Sequence, residues 1–232
     1  MNPLEKAIEL AVRAHSGQMD EDGMPHIVHC IEVMLATKRA VVGINFGTEN
    51  PGKLREMGFN LSEGNNESDT EEAAKQLLNE LMIAAVLHDT VEDTFVTLDF
   101  IEASFGKNVR DLVDGVSRRG KGETKESYRD FLYRAKQTPG SRLIKVADLT
   151  HNFGRSSQIK KASWRDKLQL KYSTALRVLN DSDQPTWEQA SSSVNWDISQ
   201  PGPNIPHYFI ADPNGKKIEV TEAEFKSLTK LS

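Results

Sequence analysis

The sequence predicts an all-α fold, a helical bundle carrying a small C-terminal hairpin-containing appendage. Three observations support this. Through the first 180 residues, apolar side chains recur every three or four positions, the spacing of one helix face. Capping and breaker residues interrupt that pattern at helix-length intervals. The one stretch that reads as paired strands, HYFIADPNGKKIEVT, lies near the C-terminus around a Pro-Asn-Gly turn.

In chain order, Asn2-Pro3 opens the first helix, with Asn as N-cap and Pro in the first turn. Its stripe is Leu4, Ala7, Ile8, Ala11 and Val12, and His15 follows one turn on. A turn-rich segment, GQMDEDGMPH, leads through Pro25 into a second helix with Ile27, Ile31, Met34 and Leu35 inward and His29 early. Residues 41–69 hold many Gly, Pro and Asn and read as a surface insertion, mobile in part. Ser68-Asp69-Thr70-Glu71 matches a capping box. A central helix should follow through Leu77, Leu81 and Ala85 to His88. Thr97 caps LDFIEASF, which Gly106 stops; Val109, Leu112, Val113 and Val116 mark the next helix. Beyond the basic loop RRGKGETK, helices are expected around Phe131, from near Ser141 through Asp148, and from a Ser163 cap to about Asn180. Residues 1–180 therefore read as one domain, and residues 181–232 as an irregular linker plus a small appendage.

Composition narrows the function classes. The 232 residues carry 38% hydrophobic and 27% charged side chains, with net charge −5. That balance argues against a nucleic-acid binder, although a local cationic site can still take a small anionic substrate. A single cysteine, Cys30, excludes an internal disulfide, and no apolar run is long enough to span a bilayer. The expectation is a cytoplasmic protein with no membrane or nucleic-acid partner. The sequence leaves self-association into a homo-oligomer open.

The chemistry concentrates in Leu81–Thr94, LMIAAVLHDTVEDT. A helix continuing through it would stack His88 under Glu92 and Asp89 under Asp93. So much buried negative charge calls for a counter-ion. His29, His88, Asp89 and Asp148 could form one metal site. Two imidazoles and two carboxylates suit a divalent Mn, Fe, Co or Zn ion. Such an ion acidifies water and polarises a phosphoryl group, and Glu92 and Asp93 could orient or deprotonate that water. Arg118, Lys121 and Arg155 are candidate phosphate-binding cations.

Five pieces occur in order: AVRAHSGQ at 11–18, GMPHIVH at 23–29, AAVLHDTVEDT at 84–94, FGKNVRDLVDGVSR at 105–118 and IKVADLTHN at 144–152. Together they resemble the HD-domain metal-dependent phosphohydrolases, most closely the RelA/SpoT-type hydrolase domain and the small alarmone hydrolases. The resemblance implies an all-helical fold and a divalent metal, usually Mn²⁺. It also implies removal of the 3′-diphosphate of guanosine tetra- or pentaphosphate (ppGpp, pppGpp) as pyrophosphate. It assigns His29, His88, Asp89 and Asp148 as ligands, Glu92 and Asp93 as the catalytic acidic pair, and Asn152 to the substrate. Met19-Asp20-Glu21 replaces residues that are basic in many such hydrolases, so the loop Arg118–Lys125 and Arg155 are expected to compensate. Two alternatives stay open. One is another nucleotide phosphatase on this fold, a 5′-nucleotidase or an NADPH phosphatase. The other is a non-catalytic nucleotide-sensing module.

Overall fold

In a computed structural model, the described residues are 1–20, 22–42, 51–60, 67–120, 122–180, 208–211 and 217–220. Ten helices run through the described part of residues 1–180: α1 Pro3–Ala14, α2 His26–Val42, α3 Pro51–Glu56, α4 Glu67–Val86, α5 Thr90–Asp93, α6 Leu98–Phe105, α7 Lys107–Val116, α8 Tyr128–Lys136, α9 Pro139–Ser156 and α10 Ala162–Asn180. Strands β1 Tyr208–Ala211 and β2 Lys217–Val220 pair antiparallel, Tyr208 opposite Val220 and Ala211 opposite Lys217. The Pro-Asn-Gly turn between them lies outside the described residues, as do residues 181–207. No helix among the described residues is long and apolar enough to cross a membrane.

Local chemistry accounts for several boundaries. The Asn2 side chain accepts from Leu4 N at 2.8 Å while Glu5 accepts from Asn2 N at 3.0 Å, a reciprocal cap that satisfies two otherwise unpaired donors. Thr97 caps α6 by accepting from Phe100 N at 3.2 Å. At Gly106 a φ of 90° breaks α6 from α7, a conformation in which a Cβ would be strained.

Helix α4 is the centre of the main core and packs against α1, α2, α7 and α9. Its Ala74, Leu78, Leu81 and Ala85 are buried with Ala7 and Ala11 of α1, Val33 of α2 and Val113 of α7. A second cluster joins α8, α9 and α10 through Phe131, Leu132, Leu149, Ala175 and Leu179. Helix α9 serves both, because Ile144 and Ala147 face the first core and Leu149 the second. Asp148 therefore sits on the seam between two apolar clusters.

Two sequence expectations need correction. The segment 41–69 is not wholly a surface insertion. Its residues 51–56 form α3, which packs on α4, and Leu54 is fully buried with Phe59 packed on the same core. A breaker-rich composition concealed one short helix that buries a single leucine. The central helix also does not reach His88; it ends at Val86. Thr90 Oγ1 donates to Leu87 O at 2.7 Å and His88 Nδ1 lies 2.9 Å from Ala85 O. These side chains hold a tight turn that ends the regular ladder.

Gly115 marks the closest approach of α7 to α9. A Cβ there would fall 2.0 Å from Ser141 Oγ and 2.7 Å from Ser141 Cβ, and Ser141 is itself buried. Gly115→Ala is expected to destabilise the domain by about 1–3 kcal/mol, the usual cost of overpacking. The check is the midpoint of urea denaturation, and an unchanged midpoint would mean that the two helices separate freely.

Candidate metal centre and adjoining cavity

The turn after α4 changes the geometry of the His-Asp pair. On a regular helix, neighbouring side chains diverge by about 100°. In the turn they converge, and His88 Nε2 lies 2.9 Å from Asp89 Oδ2. Helix α2 brings His29 Nε2 to 3.2 Å from His88 Nε2 and 3.4 Å from Asp89 Oδ2. Helix α9 brings Asp148 Oδ1 to 3.3 Å from His29 Nε2 and 3.7 Å from His88 Nε2. Donor atoms of His29, His88 and Asp148 thus lie within 4.8 Å of one another, and Asp89 Oδ2 adjoins the two imidazoles.

These separations fit a shared cation. Ligand bonds of about 2.0–2.2 Å place neighbouring donors about 3–3.5 Å apart around an octahedral or tetrahedral ion. The hydrogen bonds point the same way. His88 Nδ1 faces the Ala85 carbonyl, so its proton belongs there and the Nε2 lone pair faces the centre. His29 Nδ1 faces His151 Nδ1 at 2.8 Å; with His29 as the donor of this pair, its Nε2 lone pair turns inward too. Electrostatics repeat the demand. Burial alone would lower His88, but Asp89 and Asp148 hold it well above the ordinary imidazole value. Burial alone would raise Asp148, but Lys145, His29 and His88 hold it well below the ordinary carboxylate range. Two carboxylates and two inward lone pairs need positive charge at their centre, and a divalent ion fits that donor set.

Glu92 and Asp93 stand on α5, one turn beyond Asp89. Backbone bonds from Asp93 N to Asp89 O (3.0 Å) and from Thr94 N to Thr90 O (3.1 Å) hold this short helix. Glu92 Oε1 accepts from Arg118 N at 2.9 Å. Asp93 O accepts from Gln18 Nε2 at 3.0 Å, and Gln18 Oε1 is in turn 2.8 Å from His15 Nδ1. The piece AVRAHSGQ therefore buttresses the acidic pair. Burial, with His26 beside it, lowers His15 to about 4, which keeps it neutral as Gln18's partner. Surrounding protein raises the Asp93 carboxyl to about 7, with Asp89 and Glu92 adding to the rise. Asp93 keeps an exposed edge, so the crowding by two carboxylates is the firmer cause.

A cavity of about 210 Å³ opens beside the centre. Asp89, Glu92, Asp93 and Asp148 form one side, and Arg118, Lys145 and Lys171 supply positive charge among Tyr128, Phe131 and Tyr172. Lys145 Nζ is 2.7 Å from Asp148 Oδ2; against its burial, Asp148 holds this ammonium above its ordinary value. Asn152 Nδ2 donates to Asp148 Oδ1 at 2.5 Å and lines this cavity and a second one of about 280 Å³. Ile159, Trp164, Leu168 and Tyr172 give the second cavity an apolar, aromatic wall, while Asp20, Asp22 and Arg155 form a charged edge.

The structure sorts the remaining expected cations. Arg118 lines the first cavity, although its guanidinium also donates to Glu126 O at 3.2 and 2.5 Å. Lys121 lies outside the described residues. Arg155 is a correction: it does not stand free for phosphate. Its Nη1 donates to Asp20 at 2.6 Å, and Nε (2.9 Å) and Nη2 both donate to Asp22. Asp20, one of the residues that replace the expected basic ones, thus occupies the arginine expected to compensate for them, together with Asp22. Lys145, Lys171 and Tyr172 escaped the sequence reading. Lys145 could have been found from its i, i+3 spacing to Asp148; Lys171 carries no such signal.

The chain is similar to several known proteins. Residues 72–143 match the family model described as "HD domain". The chain is 30% identical over 153 residues to the guanosine-3′,5′-bis(diphosphate) 3′-pyrophosphohydrolase of Aquifex aeolicus (strain VF5). It is 32% identical over 156 residues to the bifunctional (p)ppGpp synthase/hydrolase SpoT of Escherichia coli (strain K12). Each match covers 64% of this chain but 17% of the relative, so the chain spans about a sixth of the length of these curated relatives. The fold resembles a solved structure described as "A metazoan ortholog of SpoT hydrolyzes ppGpp and plays a role in starvation responses". That likeness has a TM-score of 0.55 and 20% identity, and covers 82% of this chain and 92% of the other.

Proposed function

We propose that this HD-domain chain is a metal-dependent nucleotide phosphohydrolase that removes the 3′-diphosphate of ppGpp or pppGpp as pyrophosphate. One observation carries the reading: His29, His88, Asp89 and Asp148 converge beside a cavity that pairs carboxylates with three cations. The named activities of the relatives support it. Residues 1–180 would be the catalytic body, residues 181–232 an appendage, and the cytoplasm the place of action.

The four ligands would hold a divalent ion, Mn²⁺ by preference. When bound, that ion supplies Lewis acidity toward a phosphoryl oxygen and lowers the pKa of water. The remaining chemistry belongs to this chain. Glu92 and Asp93 take the proton of the attacking water as its oxygen bonds to the phosphorus nearest the ribose. The bond from that phosphorus to the ribose 3′ oxygen breaks, and the oxygen leaves as a hydroxyl after gaining a proton. Arg118 and Lys145 neutralise charge on the phosphoryl oxygens. Asn152 links Asp148 to the aromatic cavity, where Trp164 and Tyr172 offer faces to a base.

One observation favours a second reading, a phosphatase acting on a nucleotide with fewer phosphates. The aromatic cavity shows Asp20 and Asp22 at its edge and an arginine already paired with both, so it offers little to a second diphosphate. Manganese-loaded protein incubated with ppGpp, 5′-nucleotides and NADPH separates the readings by product. Pyrophosphate from ppGpp is expected. Orthophosphate from another nucleotide, with ppGpp untouched, would establish the second reading. No product from any of them would leave the sensing module.

A further inference from the structure

We propose that Lys171 is a phosphate-binding residue of the active-site cavity, the group that leaves the cavity with net positive charge for its anionic substrate. The inference rests on the phosphohydrolase reading and adds a residue that the five recognised sequence pieces do not contain.

The argument begins on α10. Leu168, Lys171, Tyr172 and Ala175 share its inward face, and the apolar members pack while Lys171 lines the cavity with Asp89, Asp148 and Lys145. Its ammonium lies 4.7 Å from the centroid of the Tyr128 ring and 5.8 Å from that of Tyr172. Arg118 lies over the same Tyr128 ring, 5.8 Å from its centroid. Aromatic faces steady an ammonium but leave its charge uncompensated. Lys145 has Asp148 as its counter-ion, whereas Arg118 donates to the neutral Glu126 carbonyl. Lys171 has no ion pair among the described residues.

Charge counting shows what this does. With all four carboxyls ionised, Asp93 included, the cavity holds four negative charges and, without Lys171, two cationic side chains. A divalent ion on the four ligands would bring that set to zero. Lys171 makes it positive by one. A phosphate group in the cavity would then supply the counter-charge that the lysine lacks. Without one, an ammonium is held half-buried beside two like charges. Its pKa shows that cost: burial, then Lys145 and Arg118, lower it to about 8, while Asp148 and Glu92 pull weakly the other way. A lysine with a strongly lowered pKa in a cleft is a functional candidate on physical grounds. A purely structural lysine would turn its stem inward and its ammonium to water.

The test uses full-length manganese-loaded protein and inorganic phosphate as probe, measured by calorimetry, with Lys171→Met and Lys171→Arg as variants. Lys171→Met keeps the packing on Tyr128 and removes the charge, so phosphate affinity should fall at least about tenfold. Lys171→Arg should restore much of it. Wild-type affinity should decline as pH rises through about 8 beyond any decline of the arginine variant, which keeps its charge. With a cleavable nucleotide, Lys171→Met should raise KM more than it lowers kcat. A second readout needs no metal: mass spectrometry of lysine acylation should find Lys171 unusually reactive near pH 8 and protected by phosphate. Equal phosphate affinity in wild type and Lys171→Met would overturn the inference. Lys171-dependent phosphate binding in a protein that leaves ppGpp intact would sustain it while sinking the alarmone reading.

Discussion

Replacing His88 or Asp148 by alanine is expected to abolish stoichiometric metal binding and reduce hydrolysis by more than the 10–100-fold typical of losing an outer partner of a ligand. The two variants should differ in stability. His88 is fully buried and spends its Nδ1 proton on the Ala85 carbonyl, so His88→Ala removes one donor from the centre and little else that is charged. Its melting temperature should fall below that of chelated wild-type protein only by the cavity and the lost turn bond to Ala85 O. Asp148 also neutralises Lys145 at 2.7 Å in a buried setting. Asp148→Ala therefore strands an ammonium, and breaking a buried pair by removing one partner costs about 3–5 kcal/mol. It should melt below the chelated wild type. Chelation itself should lower the wild-type melting temperature, because an ion bound only by the folded state adds to stability. Elemental analysis and thermal melts check all three. Full metal occupancy in His88→Ala would move the centre elsewhere.

Much of the fold was legible because helices announce themselves through periodicity and caps. Asn2 and Thr97 make the bonds that their positions promised, and Gly106 breaks the chain where expected. The proposed metal donors stood out for another reason: imidazoles and carboxylates on apolar helices are costly unless they converge. Three features stayed hidden, each with a physical cause. The end of α4 at Val86 is held by side chains of His88 and Thr90 bonding backward to carbonyls, which hydrophobic spacing does not record. The engagement of Arg155 depends on Asp20 and Asp22, more than 130 residues away in the chain. That Lys145 and Lys171 face a cavity depends on tertiary packing of α9 and α10, which helical spacing does not record.

Glu92→Gln and Asp93→Asn are expected to lower kcat by about 10²–10⁴-fold each, the range for removing a general base, while metal content and KM change little. Two features place the pair for this. The short helix α5 lifts both carboxylates one turn past Asp89, into the cavity but outside the ligand set. Arg118 N holds Glu92 at 2.9 Å through the backbone, and Gln18 holds the Asp93 carbonyl at 3.0 Å, so neither depends on its own charge for position. Neutral amides should therefore occupy the same places without accepting a proton. The carboxylates are not equivalent. Asp93, raised to about 7, is the better proton carrier near neutral pH, whereas Glu92, tied to Arg118 N, is better placed to orient water. Asp93→Asn should accordingly alter the shape of the pH–kcat profile, and Glu92→Gln should lower it with less change of shape. If both act on one water, the double variant should lose less than the product of the single losses. Kinetics of the three variants beside their metal stoichiometry decide the matter. Wild-type turnover in both singles with metal retained would reduce the pair to a decoration of the helix end and return the sensing module to consideration.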